Sequence, residues 1–200
     1  MTTAPARGDY VDPHDLLGLI RSRRVVRDLT PEPVSDDDLM MVLEAGLWAT
    51  SGGNNRIHRF LVVRDPRTVR LMVDVSPGIF SPPGVMIVVC ADLDVAERLE
   101  LDMERYKTPW IDVGTAAMNM MMQAHALGLG SCPATSFSRS GIEAVLELPP
   151  QALPALILQV GHRPAGTGAA TRPTGASSRL ARFVYWERYG HTRPELGRRA

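Results

Sequence analysis

The 200-residue chain carries 22 basic and 22 acidic residues, so its formal net charge is zero and no global positive field exists to drive nucleic-acid or anionic-membrane binding. Hydrophobic residues make up 44% of it, enough for the core of one soluble globular domain with extensions. Cys90 and Cys132 belong to no CxxC or Cys/His cluster and read as buried thiols in a reducing compartment; the stretch MTTAPARGDYVDP has no apolar core of signal-peptide length, and a cytoplasmic location is the expectation.

Residues 1–11 read as a mobile polar arm. Asp12-Pro13 is a cap-plus-proline signal opening a helix whose apolar face is Leu16, Leu17, Leu19 and Ile20, and this helix runs into the basic cluster Arg21-Ser22-Arg23-Arg24-Val25-Val26-Arg27. After the turn TPEPVS, Ser35 with Asp38 three residues on resembles a capping box, and the apolar spacing that follows predicts a helix over 36–49. The polar loop Ser51-Gly52-Gly53-Asn54-Asn55-Arg56 leads into 60–63, which reads as a buried strand. Asp65-Pro66 starts a short helix to about Val75, SPGIFSPPG excludes regular structure, and 85–90 is the strongest strand signal.

The segment 108–132, TPWIDVGTAAMNMMMQAHALGLGSC, holds the longest helix. Thr108 reads as its N-cap, Pro109 as its first position and Gly128 as its stop, giving about 18 residues and roughly 27 Å. Its apolar residues circle the axis, which predicts an enclosed helix at the centre of a domain or of a dimer. Asp112, Asn119, Gln123 and His125 exclude a membrane span. Ser140-Gly141-Ile142-Glu143 then reads as the capping box of a helix ending near Leu148, and 156–160 as a strand. Residues 161–178 are linker-like, and order signals return at Ser178-Arg179-Leu180 and Phe183-Val184-Tyr185-Trp186, as in an arm that packs on something.

The sequence lacks a Walker loop, and Gly128-Leu129-Gly130 follows a helix instead of a strand, which excludes a dinucleotide fingerprint. The five histidines show no metal spacing, and there is no GxSxG elbow. The Arg21–Arg27 cluster has two readings: a solvated helix end whose cations complement the dipole, or an anion site built from guanidinium forks. The 51–56 loop is either a plain turn or a place where glycines admit a flat ligand to the backbone.

In order along the chain stand a helix ending in R-R-x-x-R, a helix ending in S-x-x-N, a Phe-Leu-Val-Val strand, a Val-rich strand, and D-x-G-x-A-x-x-N-M followed by A-x-x-L-G-L-G. The series resembles the nitroreductase family of FMN-dependent oxidoreductases over about residues 14–190, most specifically at Asp112–Gly130 and Leu156–Gly161. The resemblance implies an α+β fold, a mixed and mainly antiparallel sheet wrapped by helices around a long central helix. It further implies a homodimer that shares two FMN molecules. The expected organisation is a mobile arm 1–11, an FMN-binding domain 12–162, and a linker and arm 163–200 packing on the partner subunit.

Carried over by position, Arg23, Arg24, Val25 and Arg27 would hold the phosphate, ribityl chain and ring edge of FMN. Ser51 and Asn54 match the loop that the neighbouring subunit lays on the flavin. Pro133, Ala134, Thr135 and Ser136 would form a strand beside the isoalloxazine, and Arg179 a C-terminal phosphate ligand. The implied activity is reduction of nitroaromatics, quinones or related small molecules by NADH or NADPH in a ping-pong hydride mechanism, with the flavin and no side chain as catalyst. The chain departs from the family pattern at Val25 (usually Ser), at Thr50, Arg56, Ile57 and His58 (usually Pro, Gln, Pro and Trp), and at Ser177 (usually basic). Those departures motivate an alternative, a divergent member that has lost FMN and acts as a dimeric binding protein.

Overall fold

A computed structural model describes residues 11–166 and 183–191. Four strands, β1 (His58–Val63), β2 (Val85–Asp92), β3 (Gly130–Ala134) and β4 (Ala152–Gly161), form one sheet in the order β1-β2-β4-β3. All three ladders are antiparallel; the parallel element is an isolated bridge between Val25 and Ser131 on the outer side of β3. Helices α1 (Pro13–Ser22), α2 (Asp36–Leu47), α3 (Pro66–Asp74), α4 (Leu93–Arg98), α5 (Thr108–Ala126) and α6 (Arg139–Val145) complete the α+β architecture.

β2 explains the layering. Its near-continuous apolar run is buried on both faces, whereas a one-sided antiparallel strand would alternate. Val85, Ile87 and Val89 join Leu156 and Leu158 under α2 and α5, while Met86, Val88 and Cys90 join Ile157 under α3 and α6. Ile87, Leu158, Met86 and Met120 are fully buried, each contributing roughly 1.5–3 kcal/mol on transfer grounds. β1, expected to be buried, is instead only partly so, because it pairs with β2 alone and lies at the edge of the sheet. The strand over 156–160 extends back to Ala152 and tolerates Pro154 because the register shifts opposite it, between Val89 and Cys90.

The caps at Asp12, Ser35 and Asp65 form as the sequence indicates, each side chain accepting a first-turn N–H. Other boundaries move. α2 stops at Leu47 instead of 49, β1 begins at His58 instead of Phe60, and α4 has no counterpart in the sequence reading. α6 is capped by Ser138, not Ser140, because Ser138 Oγ reaches Gly141 N–H at 3.1 Å. Thr108 is the first residue of α5 and makes no capping bond.

α5 ends in a Schellman arrangement: Gly128 takes φ 80° and Leu129 N–H donates to Ala124 O at 2.9 Å. A glycine is needed again at 130, where a Cβ would lie 2.6 Å from Leu29 Cδ2 and 3.0 Å from Val26 Cβ. The L-G-L-G motif therefore turns the chain from α5 directly into β3 and lets residues 26–29 lie against it.

The enclosure expected of α5 is incomplete within one protomer. α1 rests on α5 with Leu19 half-buried but leaves Leu16, Leu17 and Ile20 exposed, and α5 leaves a bare stripe at Ile111 (60% exposed) and Met118 (40%). The apolar ring around α5 divides into faces that meet α2 and the sheet and one stripe that stays exposed. Residues 183–191 form a turn of their own in which the Tyr185 and Tyr189 rings lie 4.5 Å apart. Ser177, Ser178, Arg179 and Leu180 lie outside the described residues, as do residues 1–10.

Candidate functional site

β3 runs with β4 on one side and residues 25–26 on the other; Val26 N–H donates to Ser131 O at 2.9 Å. Extended backbone alternates its side chains. Val26 turns to Gly130, while Val25 and Arg27 turn to a cavity of about 300 Å³ whose lining also includes Pro133, Ala134, Thr135 and Ser136. Six of the residues singled out from the sequence thus meet at one place. Pro133 and Ala134 lie on β3, whereas Thr135 and Ser136 fall just beyond its end.

The arginines divide. Arg24 folds back on the end of α1, donating from Nη1 to the carbonyls of Arg21 and Arg23, contacts of the kind a helix-end cation makes. Arg23 is different: its Nε and Nη1 are buried with no hydrogen-bond partner. A buried guanidinium edge without an acceptor costs free energy that an anion would recover. The surroundings are already positive. Burial holds His125, which hydrogen-bonds Ser22 at 2.8 Å, below the usual imidazole value, and Arg163, Arg23 and Arg24 press it the same way.

Ser51 and Asn54 are not brought to this cavity. They lie in the loop around the 3-10 turn Gly52–Asn54, which α5 holds from below. Gly52 N–H donates to both carboxylate oxygens of buried Asp112 at 3.1 Å, Thr115 Oγ1 donates to Thr50 O at 3.1 Å, and Asn119 Nδ2 to Ala45 O at 3.1 Å. The polar positions of D-x-G-x-A-x-x-N-M are thus tethers that fix the end of α2 and the loop after it. The loop is strained, with Asn54 at φ 57° and Arg56 at φ 48°, conformations that cost on the order of 1 kcal/mol or more and need such anchoring.

Gly78, Phe80 and Cys132 also line the cavity and were not singled out from the sequence. The available signal was an aromatic residue inside the aperiodic SPGIFSPPG segment. Cys132 is no nucleophile: burial raises its pKa, only partly opposed by Arg27, and burial lifts Cys90 to about 11. Among the described residues no His, Cys, Asp and Glu group could hold a metal, and no helix is long and apolar enough to cross a membrane.

His58, on β1 beside the loop, is 4% exposed, stacks on Phe60 at 5.1 Å and leaves both ring nitrogens unpartnered. Burial lowers its pKa; Asp112 opposes this, and Arg59 and Arg56 reinforce it. A folded-state value below the unfolded one means that the unfolded chain binds the extra proton, so this contribution is intact above about pH 6.5 and is lost as pH falls below it. The melting temperature should therefore drop between pH 6.5 and 5, and His58→Phe should flatten that part of the profile. Identical pH slopes for the two proteins would refute the assignment.

A model described as Nitroreductase family matches residues 20–81 and 72–162. A Thermus thermophilus protein named NADH dehydrogenase is 30% identical over 166 residues, covering 68% of this chain and 80% of that protein. An Archaeoglobus fulgidus relative, whose name carries both NADH dehydrogenase and NAD(P)H nitroreductase, is 32% identical over 120 residues, 58% of this chain; the match spans just 65% of the relative's length. An FMN reductase [NAD(P)H] of Bacillus subtilis is 26% identical over 165 residues, covering 74% of this chain and 66% of that protein. Among solved structures, an FMN-dependent nitroreductase from Clostridium difficile superposes with a TM-score of 0.71 at 24% identity, over 86% of this chain and 99% of that one.

Proposed function

Because the chain belongs to the nitroreductase family, we propose that it is an FMN-dependent oxidoreductase that draws electrons from NADH or NADPH and reduces a small flat acceptor, a nitroaromatic or quinone. The observation that carries this reading is the cavity between Val25, Arg27 and Pro133–Ser136, with the partnerless guanidinium edge of Arg23 two residues before it. The donor set fits a phosphorylated flavin: cations stand on the 23–27 stretch, and small or apolar walls suit a ring. A chain that had lost FMN would have no use for a buried, unsatisfied arginine. The names of relatives, FMN reductase and NAD(P)H nitroreductase among them, support the same cofactor and donor.

Bound FMN would supply hydride acceptance from the nicotinamide and onward reduction of the acceptor, the two substrates alternating at one site. The chain's part is to bind, orient and exclude water. Arg23 and Arg27, with Arg179 from the C-terminal segment, would hold the phosphate end. Pro133 to Ser136 would flank the ring. Ser51 and Asn54, held by Asp112 and Thr115, would reach the flavin of a second subunit. We read the protein as a cytoplasmic homodimer with a core over 12–162 and residues 163–200 as an arm on the partner.

Purified protein should be yellow and release stoichiometric FMN on denaturation, and initial rates with NAD(P)H and menadione should give parallel double-reciprocal lines. Colourless protein that binds no added FMN would reject the cofactor, and intersecting lines would reject the alternating site.

A further inference from the structure

The SPGIFSPPG segment has no regular structure, yet it is fixed to the walls of the cavity on both sides of Phe80. Gly78 N–H donates to Ser136 O at 2.9 Å, and Ser138 N–H to Val75 O at 2.8 Å. Ile79 is buried at 4% exposure. Ser81 Oγ accepts from Leu29 N–H at 3.4 Å and lies 3.4 Å from the carbonyls of Arg27 and Leu29. Between these anchors Phe80 lines the cavity while 70% exposed, so its ring stands at the mouth. A large apolar ring held in water by an anchored backbone forgoes its own burial, and it presents a preorganised surface that loses little freedom when covered.

Volume decides what covers it. About 300 Å³ is at the low end for ligand pockets, on the scale of a single flat ring system. With the flavin ring inside, a second planar molecule has to lie at the mouth. There Cys132 and Ala134 are buried and Thr135 and Ser136 are polar; Val25, 38% exposed, and half-buried Pro133 are apolar without a π face, and Phe80 is the aromatic surface among the lining residues. The face of a phenyl ring is electron-rich and prefers offset stacking with an electron-poor partner. We propose that Phe80 is the acceptor-selecting residue, on which an electron-poor aromatic ring, a quinone or nitroarene, stacks at the mouth of the cavity. The inference rests on the flavin reading above and adds to it the residue on which the acceptor lies.

The test is equilibrium binding of menadione to the oxidised, FMN-loaded full-length protein by calorimetry, where no turnover occurs, together with a separate FMN titration. Phe80→Ala should raise the menadione Kd about threefold to tenfold, Phe80→Leu should lose most of the same affinity, and Phe80→Tyr should retain it. FMN affinity should stay within about twofold in all three, so that the effect is assigned to the second molecule. An unchanged menadione Kd in Phe80→Ala overturns the proposal, as does full retention by Phe80→Leu, which would mean that bulk and not the π face is used. An equal loss of FMN affinity also overturns it, placing Phe80 in the flavin seat. Failure of the wild-type chain to take up FMN is a distinct result that rejects the flavin reading itself.

Discussion

Replacing Arg23 and Arg27 together by alanine should weaken FMN binding by about two to four orders of magnitude. A phosphate dianion leaving water needs charged donors, and this chain has no glycine-rich nucleotide loop to supply backbone ones. Each charge-assisted hydrogen bond contributes ~1.5–3 kcal/mol, so losing both costs roughly 3–6 kcal/mol. Riboflavin, which lacks the phosphate, should lose far less, and the comparison of the two ligands on wild type and variant is the measurement. Equal losses would mean that the cluster supports folding instead of gripping phosphate.

The structure adds a second signature. Arg23 buries two guanidinium nitrogens without acceptors, so Arg23→Ala should leave the ligand-free protein as stable as wild type or more so, because an uncompensated buried donor disappears. The gain in melting temperature on adding FMN should shrink in parallel, since ligand stabilisation follows RT ln(1 + [L]/Kd). A ligand-free variant that melts well below wild type would give Arg23 a structural role.

On the homodimer reading, Met118→Asp should leave the protein monomeric at low micromolar concentration. Ile111, Gly114 and Met118 lie at i, i+3 and i+7 of α5, one exposed stripe on a helix whose other faces are buried. An isologous interface repeats every substitution, so a desolvation cost of roughly 2 kcal/mol per carboxylate becomes about 4 per dimer, near a thousandfold in dissociation constant. Gly114→Leu separates interface from fold. A Cβ at 114 meets nothing within 4 Å in the protomer, and leaving glycine favours the helix by about 1 kcal/mol, so any loss of dimer comes from blocked approach of a second copy. Sedimentation velocity decides: a wild-type monomer that carries full flavin, or variants that remain dimeric, would rule out this stripe as the interface. FMN should be lost with the dimer if Ser51 and Asn54 complete the neighbour's site.

Local chemistry is what the sequence by itself determined. Asp12, Ser35 and Asp65 cap because each side chain and its target N–H lie within three residues of one another, and that information is local. The apolar run of β2 declared the strongest strand, and L-G-L-G declared a helix stop whose reasons proved to be one left-handed turn and one close approach. The order of the motifs carried the family and six of the cavity's nine lining residues.

What needed the tertiary structure was every decision between two locally equal options. Ser138 and Ser140 are both competent caps, and the first was chosen by Ser138 N–H pairing with Val75 O from a different part of the chain. Arg23 and Arg24 are adjacent and chemically identical. Yet the fold sends one guanidinium to carbonyls on the end of α1 and leaves two nitrogens of the other buried without a partner. The all-round hydrophobicity of α5 could not say which face meets the sheet and which is left bare, because periodicity records that a side chain will be covered and not by what. Gly78 and Phe80 entered the site because two irregular segments, about sixty residues apart in the chain, share hydrogen bonds, and no pattern within either one encodes the other.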